Sequence, residues 1–352
     1  MLWDKATQMN NEQCTMYNGK IIEKCRIKSI LFIRNDGKIG DMIINTLMFR
    51  EIKKNYPNIK IGVVTRGVNK QVIVNNPNVD KIYEYSKSNG DLKRLAKEIA
   101  DEKYDLLIDF SEMLRVKQMK FINLCKARIN MGLNRKDRKL FDVSVEPNID
   151  FKWTEHITLR YEAYLKKLGI KTPNLEYDLN LSNEDEKFSK EVFDKIKEEK
   201  VLVLNPYGAS KHKTLKDNRL KEIIELVREK GYGVVFVYSP DKYNNLKTFI
   251  DNLGVEGVFL PEGIKTINHT ASIIKKADFL ITPDTSIVHI GAAYKKDGIC
   301  IYPPKGGIYG VDHLVWGPTN KNFKMIFCED KKSEKDEIDI NTFRMEELKK
   351  IV

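Results

Sequence analysis

The sequence predicts an α/β protein built from doubly wound parallel sheets in two halves. Three observations predict it. First, the apolar run Ile30–Ile33 ends in a polar, glycine-bearing loop, Arg34 to Asp41, and an amphipathic run follows with Met42, Ile43, Ile44, Leu47, Met48 and Ile52 at helical spacing. Strand, loop and helix N-terminus in that order open a βαβ unit, whose ligands sit beyond the carboxyl end of the strand. Second, short apolar runs alternate with helical patterns along the chain, as in a parallel sheet covered by helices. Third, the alternation is interrupted at Pro173 and the polar run 176–186 and then restarts. A length of 352 residues suits about two domains.

Residues 1–26 are polar without a clear period and read as an N-terminal extension. Residues 27–172 form the first domain, with strands at 29–34, 61–65, 81–85 and 104–110. Its helices run from Asp41 to near Asn55, over 72–79 as a short helix ending in a turn, around Leu92, Leu95, Ala96 and Ile99, and over 155–168, where Gly169 stops the last. The Asp-Leu-Leu-Ile-Asp core of the fourth strand reads as buried on both faces. Residues 173–352 form the second domain, with strands at 201–205, 233–238, 257–260, 279–282 and 299–302. Helices lie between them at 217–230, 243–253, 266–276 and 286–294, and a final helix near 342–351 is free to pack back on the first domain.

The net charge of +11 implies an acidic partner such as a phosphorylated substrate, an anionic membrane surface or nucleic acid. The charge is most lopsided between Arg115 and Lys139, where nine basic residues face one acid, Asp137. That stretch reads either as a solvated helix face and loop or as a docking surface for phosphate groups. Five scattered cysteines without a CxxC pair indicate no disulfide framework or zinc knuckle and suit a reducing cytosol. The N-terminus has no apolar signal core, and no apolar run reaches the ~18–20 residues of a membrane span. Work at a membrane is therefore expected from its surface.

Three strand-to-helix loops carry candidate chemistry. The first is Asn35–Asp41, whose Asp41 also has a plain reading as a helix-start aspartate. The second, Asn205–Lys213, offers Gly208 for close backbone approach, the hydroxyl of Ser210 and three basic residues, which suits a diphosphate. It is not a Walker loop, because GxxxxGK[ST] is absent. The third runs from Thr282 to His289: Asp284 suits sugar hydroxyls and Thr285 and Ser286 suit phosphate, while the same cluster also reads as a helix cap. With no D-x-D and no HExxH in the chain, no metal set is expected.

These residues carry a family resemblance. The segments IRNDGKIGDMIINTLMFREIKKNYPN, YDLLIDF, HITLRYEAYLKKLGI, LNPYGASKHKTLKDNRLKEII and ADFLITPDTSIVHIGAA, in that order over residues 29 to about 350, resemble glycosyltransferase family 9, the family of ADP-heptose:lipopolysaccharide heptosyltransferases. The resemblance implies a GT-B fold, two Rossmann-like domains facing across a cleft, with the acceptor on the N-terminal side and the nucleotide sugar on the C-terminal side. It implies an inverting, metal-independent transfer without a cofactor, ADP-heptose being a substrate. Asp41 matches the catalytic general base, Lys213 the lysine on the donor diphosphate, and Asp284 the acidic residue of the donor site. Gly208, Ser210, Thr285, Ser286 and His289 fall in the same donor region, and Lys38, Gly40, Arg115, Arg135 and Lys136 are expected on the acceptor side. The implied partners are a nucleotide sugar and an anionic, lipid-linked oligosaccharide, met in the cytoplasm or peripherally at the inner face of the inner membrane. Nucleic acid is not expected, since only Phe121 and Phe141 lie near the basic run.

The sequence also departs from the family. Lys213-Thr214-Leu215 stands where many members have Lys-Arg-Trp, Ile287 where Gly is usual, and Asn35-Asp36-Gly37-Lys38 where small hydroxyl residues are common. These changes keep another nucleotide sugar open as donor, and a non-catalytic anion- or nucleic-acid-binding protein on the same fold is the other alternative. A dehydrogenase would need G-x-G-x-x-G after the first strand, and only Gly37 and Gly40 are there.

Overall fold

The computed structural model describes residues 19–86, 88–306, 310–330 and 338–352. The chain divides into two compact units, Met1–Asp178 and Leu179–Val352. In the first, β1 (Ser29–Ile33), β2 (Lys60–Thr65), β3 (Lys81–Glu84), β4 (Leu106–Asp109), β5 (Ile129–Leu133) and β6 (Val143–Val145) form one sheet in the order β3-β2-β1-β4-β5-β6. In the second, β7 (Lys200–Leu204), β8 (Tyr232–Phe236), β9 (Val258–Phe259), β10 (Phe279–Pro283), β11 (Asp297–Tyr302) and β12 (Phe323–Phe327) take the order β12-β11-β10-β7-β8-β9. Read from the other edge this is the same doubly wound arrangement, and every pairing is parallel. Parallel strands with helices on both faces bury both sets of side chains, which is why β1 and β4 are unbroken apolar runs up to Ile33 and Asp109.

In the first unit the helices are α1 (Ile21–Lys24), α2 (Ile39–Asn55), α3 (Asn89–Asp101), α4 (Val116–Leu124) and α5 (Ile157–Leu168). In the second they are α6 (Asn183–Phe193), α7 (Asp217–Glu229), α8 (Tyr243–Leu253), α9 (Ile267–Lys276), α10 (Ser286–Ala293), α11 (Asp312–Val315) and α12 (Met345–Lys349). Side-chain caps set several starts: Ser88 Oγ accepts from the Asp91 N–H, Thr266 from that of His269, and Ser182 and Asp185 exchange the two bonds of a capping box. Gly169 ends α5 with φ +113°, a left-handed conformation that glycine adopts without strain.

The core of the first unit reaches directly to its functional end. Phe32 of β1 is fully buried, edge-on to Phe49 of α2 at 4.9 Å and stacked on Phe110 at 6.1 Å. Phe110 packs in turn on Tyr161 and Tyr164 of α5, at 5.1 and 4.9 Å. This aromatic chain forms the floor under the loop after β1.

Several elements differ from expectation. Residues 19–26 of the expected polar extension include α1, and Ile21, Ile22, Cys25 and Ile27 are buried; Arg128 donates to the Cys25 carbonyl at 2.7 Å. Residues 1–18 lie outside the described residues. The short helix expected at 72–79 is instead a 3-10 turn at Gly67–Val72, with turns through Pro77. The basic run contains both α4 and β5, and β6 and β12 are strands without a visible period. The polar run 176–186 contains the start of α6, a helix that is partly exposed and buries Asp185 and Ser189. Residues 174–178 stay with the first unit because Arg50 donates to the carbonyls of Asn174 and Glu176 at 2.6 and 2.7 Å and to Asp178 at 3.1 Å.

Phe32→Ala removes the ring on which this packing rests and is expected to destabilise the first unit by about 3–5 kcal/mol. Urea unfolding measures it, and an unchanged midpoint contradicts the packing described.

Candidate functional site

In a doubly wound sheet, ligands bind beyond the carboxyl ends of the two central strands, where the connections leave in opposite directions. In the first unit those strands are β1 and β4, and in the second β7 and β10. The loop 34–41 follows β1, loop 205–213 follows β7, and Asp284, Thr285 and Ser286 follow β10. All three candidate loops therefore stand at switch points.

The centre of the first site is Arg34, which is 4% exposed. Its backbone N–H continues the ladder to the Val64 carbonyl at 2.9 Å, and its side chain folds back beneath the loop. Nη2 donates to the Asp41 carbonyl at 3.0 Å, to Asp41 Oδ1 at 3.2 Å and to the Tyr161 hydroxyl, while Nη1 donates to Asp36 Oδ2 at 3.3 Å. The guanidinium lies 5.0 Å above the Phe110 ring. Burial works against its charge, but the neighbouring Tyr161, Asp36 and Asp41 outweigh burial and hold the proton more tightly than usual. Burial also raises the Tyr161 phenol, which stays neutral.

Asp41 lies in the first turn of α2, but its side chain caps nothing there. One carboxylate oxygen is held by Arg34 from below, and the exposed Lys38 ammonium stands 3.8 Å from the other. A helix-start aspartate gains from the dipole alone; this one is also held by a buried guanidinium nitrogen, Arg34 Nη2, that donates to both its carbonyl and its carboxylate. Gly40 is half-buried beside it. At the carboxyl end of β4, Asn35 donates to Gln118 at 2.8 Å, and Gln118 and Ser111 donate to Asp109 at 3.0 and 2.9 Å. Burial raises the Asp109 carboxyl above the usual range.

The basic run divides by burial. Arg135 is 7% exposed and donates to the carbonyls of Ser111, Glu112 and Asn134, so it braces the loop after β4. Burial makes its charge less favourable than usual. Arg128 pairs with Asp105 at 3.0 Å. Arg115 and Lys136 are exposed, the latter with its backbone N–H on Glu146 at 3.2 Å.

In the second unit, Asn205 ties two loops together by donating to the Tyr207 carbonyl at 3.0 Å and to Thr282 at 2.9 Å. Gly208 is required by a close approach: a Cβ there would stand 2.0 Å from the Lys213 carbonyl oxygen. Lys213 Nζ pairs with Asp284 Oδ2 at 2.7 Å, joining the loops after β7 and β10. Both side chains are 22% exposed, so the pair is partly buried with an edge open to solvent. Ser210 is exposed and Ser286 opens α10. Thr285 caps α10, its Oγ1 accepting from the Ile287 N–H at 3.2 Å. His289 is buried within the helix. The first N–H groups of α10 and the Lys213 ammonium supply donors suited to phosphate oxygens.

Sequence reasoning missed Arg34 and Tyr161, and also Asn341, which holds the end of the 205–213 loop by donating to the Thr214 carbonyl at 3.0 Å and accepting from the Lys216 N–H at 2.8 Å. An arginine directly after a buried strand was the available signal for Arg34. Tyr161 looks like any core aromatic of an amphipathic helix. Two concavities of about 260 and 520 Å³ lie elsewhere on the second unit, against Phe188 and Phe259 and against Arg219 and Phe343, and include none of the candidate residues.

Comparison with known proteins bears on the family and the fold. The family model described as glycosyltransferase family 9 (heptosyltransferase) matches residues 92–342. Putative lipopolysaccharide heptosyltransferase 4 of Escherichia coli K12 is 29% identical over 315 residues, covering 86% of this chain and 82% of that protein. Lipopolysaccharide core heptosyltransferase OpsX of Haemophilus influenzae is 21% identical, with 78% and 79% covered. Among solved structures, a family 9 glycosyl transferase from Veillonella parvula superposes with a TM-score of 0.74 at 18% identity over 92% of this chain and 96% of its own. The Escherichia coli heptosyltransferase WaaC with ADP does so at 0.70, with 14% identity and 92% and 98% covered. At these identities the structures show the fold, which is GT-B.

Gly208→Ala is expected to push the Lys213 backbone away and break the ion pair. A crystal structure of the variant checks this: Lys213 Nζ should stand beyond the ~4 Å limit of an ion pair from Asp284, and an unaltered pair contradicts the stated role of Gly208.

Proposed function

The chain belongs to glycosyltransferase family 9 and is a glycosyltransferase, and from that premise we propose that it transfers heptose from ADP-heptose to a lipopolysaccharide core acceptor, with inversion and without a metal. The carrying observation is that each unit presents its candidate group at its own switch point: Asp41 held by Arg34 in one, Lys213 paired with Asp284 in the other. The names of the relatives, and solved neighbours with ADP and with ADP-2-deoxy-2-fluoro heptose, support the donor and the acceptor class.

In this reading the Asp41 carboxylate takes the proton from an acceptor hydroxyl as its oxygen attacks the anomeric carbon of the heptose. The bond to the β-phosphate oxygen breaks on the opposite face, which inverts the centre and releases ADP. Arg34 keeps the Asp41 oxygens aimed, and Lys38, above the same carboxylate, stands where an acceptor phosphate would meet it. Lys213 exchanges Asp284 for the diphosphate and offsets the charge that develops on the leaving ADP. Asp284, once released, is available to sugar hydroxyls. The reaction belongs at the cytoplasmic face of the inner membrane, where donor and lipid-linked acceptor meet.

Asp41→Asn is expected to lower kcat for transfer from ADP-heptose by about 10²–10⁴, the usual share of a general base, while ADP binding measured by calorimetry stays unchanged. Transfer at the wild-type rate would remove Asp41 from the chemistry. Lys213→Ala is expected to weaken ADP binding by about 10-fold or more, in line with loss of a charge-assisted hydrogen bond. In the same titration, preference of the wild type for UDP or GDP over ADP would replace the donor.

A further inference from the structure

A buried carboxyl and two side-chain amides form a chain that the transfer steps leave unused. Asp109 ends β4 and is fully buried. Its Oδ1 accepts from Ser111 Oγ at 2.9 Å and from Gln118 Nε2 at 3.0 Å. Gln118 lies in the first turn of α4 and passes the chain on, its Oε1 accepting from Asn35 Nδ2 at 2.8 Å. Asn35 belongs to the loop after β1, the loop that carries Asp41. The chain thus crosses from one central strand to the other at the switch point of the first unit.

The chain has a direction, and Asp109 sets it. A carboxylate only accepts, so the neighbouring amide turns its nitrogen towards Asp109 and its oxygen away. Burial works against the Asp109 charge, while the Gln118 and Ser111 donors and the Arg135 guanidinium beyond β5 favour it. Tyr164 of α5 also faces this residue, donating to the Asp109 carbonyl at 3.1 Å, and burial keeps its phenol neutral. The outward oxygen of Gln118 in turn draws the Asn35 nitrogen towards α4. Asn35 is half-buried, and its Oδ1 accepts from none of the described residues. The loop therefore presents a fixed hydrogen-bond acceptor, in company with the carboxylates of Asp36 and Asp41. Such a set of acceptors suits a hydroxyl and turns away a phosphate, whereas an untethered amide could rotate to serve either.

We propose that Asn35 is a specificity-determining residue, with Gln118 and Asp109 as its positioning residues. Asn35 Oδ1 accepts a hydrogen bond from a hydroxyl of the accepting sugar other than the one Asp41 deprotonates. The proposal rests on the glycosyltransferase reading and deepens it: the part of the acceptor beside Asn35 is a neutral, hydroxylated sugar face, and its phosphates are left to Lys38 and the other exposed cations.

Binding, by calorimetry, and transfer from ADP-heptose are measured separately on the full chain. The probes are de-acylated lipopolysaccharide core oligosaccharide and forms of it lacking single hydroxyls of the accepting sugar. Asn35→Ala should bind the oligosaccharide about 5–10-fold more weakly, as for one neutral hydrogen bond, with ADP affinity unchanged. One deoxy form should cost the wild type the same factor and cost Asn35→Ala nothing further, a coupling that a mere loop brace would not produce. Gln118→Ala should show the Asn35→Ala loss at every pH. Gln118→Glu places two carboxyls together: sharing a proton they keep the bond to Asn35, and losing it they repel. Its binding relative to wild type should therefore fall as pH rises from about 6 to about 8. Full additivity for every deoxy form overturns the contact to Asn35, and wild-type binding by both Gln118 variants overturns the relay. Coupling without transfer by the wild type sinks the transferase reading alone, transfer without coupling sinks the proposal alone, and neither binding nor transfer sinks both.

Discussion

The arrangement at the head of the first unit depends on one buried cation. Arg34 emerges from β1 with its guanidinium enclosed by Phe110, Tyr161 and the loop to α2. A buried charge is tolerated only when it is paired and hydrogen-bonded. Its partners are therefore constrained in turn: Asp41 through both a carbonyl and a carboxylate oxygen, Asp36 through a carboxylate, and Tyr161 through a hydroxyl. The loop shape, the start of α2 and the orientation of Asp41 follow from satisfying that one group.

The second unit uses a weaker device at the equivalent place. Its Lys213–Asp284 pair is partly exposed and rests on a loop held by close backbone approach at Gly208 and by Asn205 and Asn341. A pair with an edge open to solvent can exchange its carboxylate for an incoming anion, whereas the Arg34 cluster cannot open without stranding a buried charge. The two sites differ in the way their proposed roles require. A base must be held still, and a diphosphate ligand must be free to exchange one partner for another.

The central strands and the three loops were legible in the sequence because buried parallel strands are apolar runs and the loops carry glycine and charge between them. The carboxylate and the lysine were singled out on the same grounds and through the family motifs, as candidates. Three strands were not legible: β6 has only three residues, β12 lies at an edge and is only partly buried, and Asn130 in β5 is polar yet buried, with its amide on the Leu140 carbonyl at 2.8 Å. The basic run read as one surface, but tertiary packing turns Arg128 and Arg135 inward to brace backbone and leaves the others exposed. Charge was visible in the sequence; which charges are structural was not, because that depends on carbonyl groups supplied by distant segments. Arg34 and Tyr161 were missed for the same reason, since their pairing spans two elements far apart in the chain.

The most direct measurement is single-turnover transfer from ADP-heptose by Arg34→Lys, which keeps the charge but loses the planar fork, with ADP affinity determined on the same folded sample. The account predicts that transfer slows while ADP affinity is retained, because the lysine cannot hold Asp41 and Tyr161 together. Transfer at the wild-type rate would contradict the claim that Arg34 sets the geometry of the base.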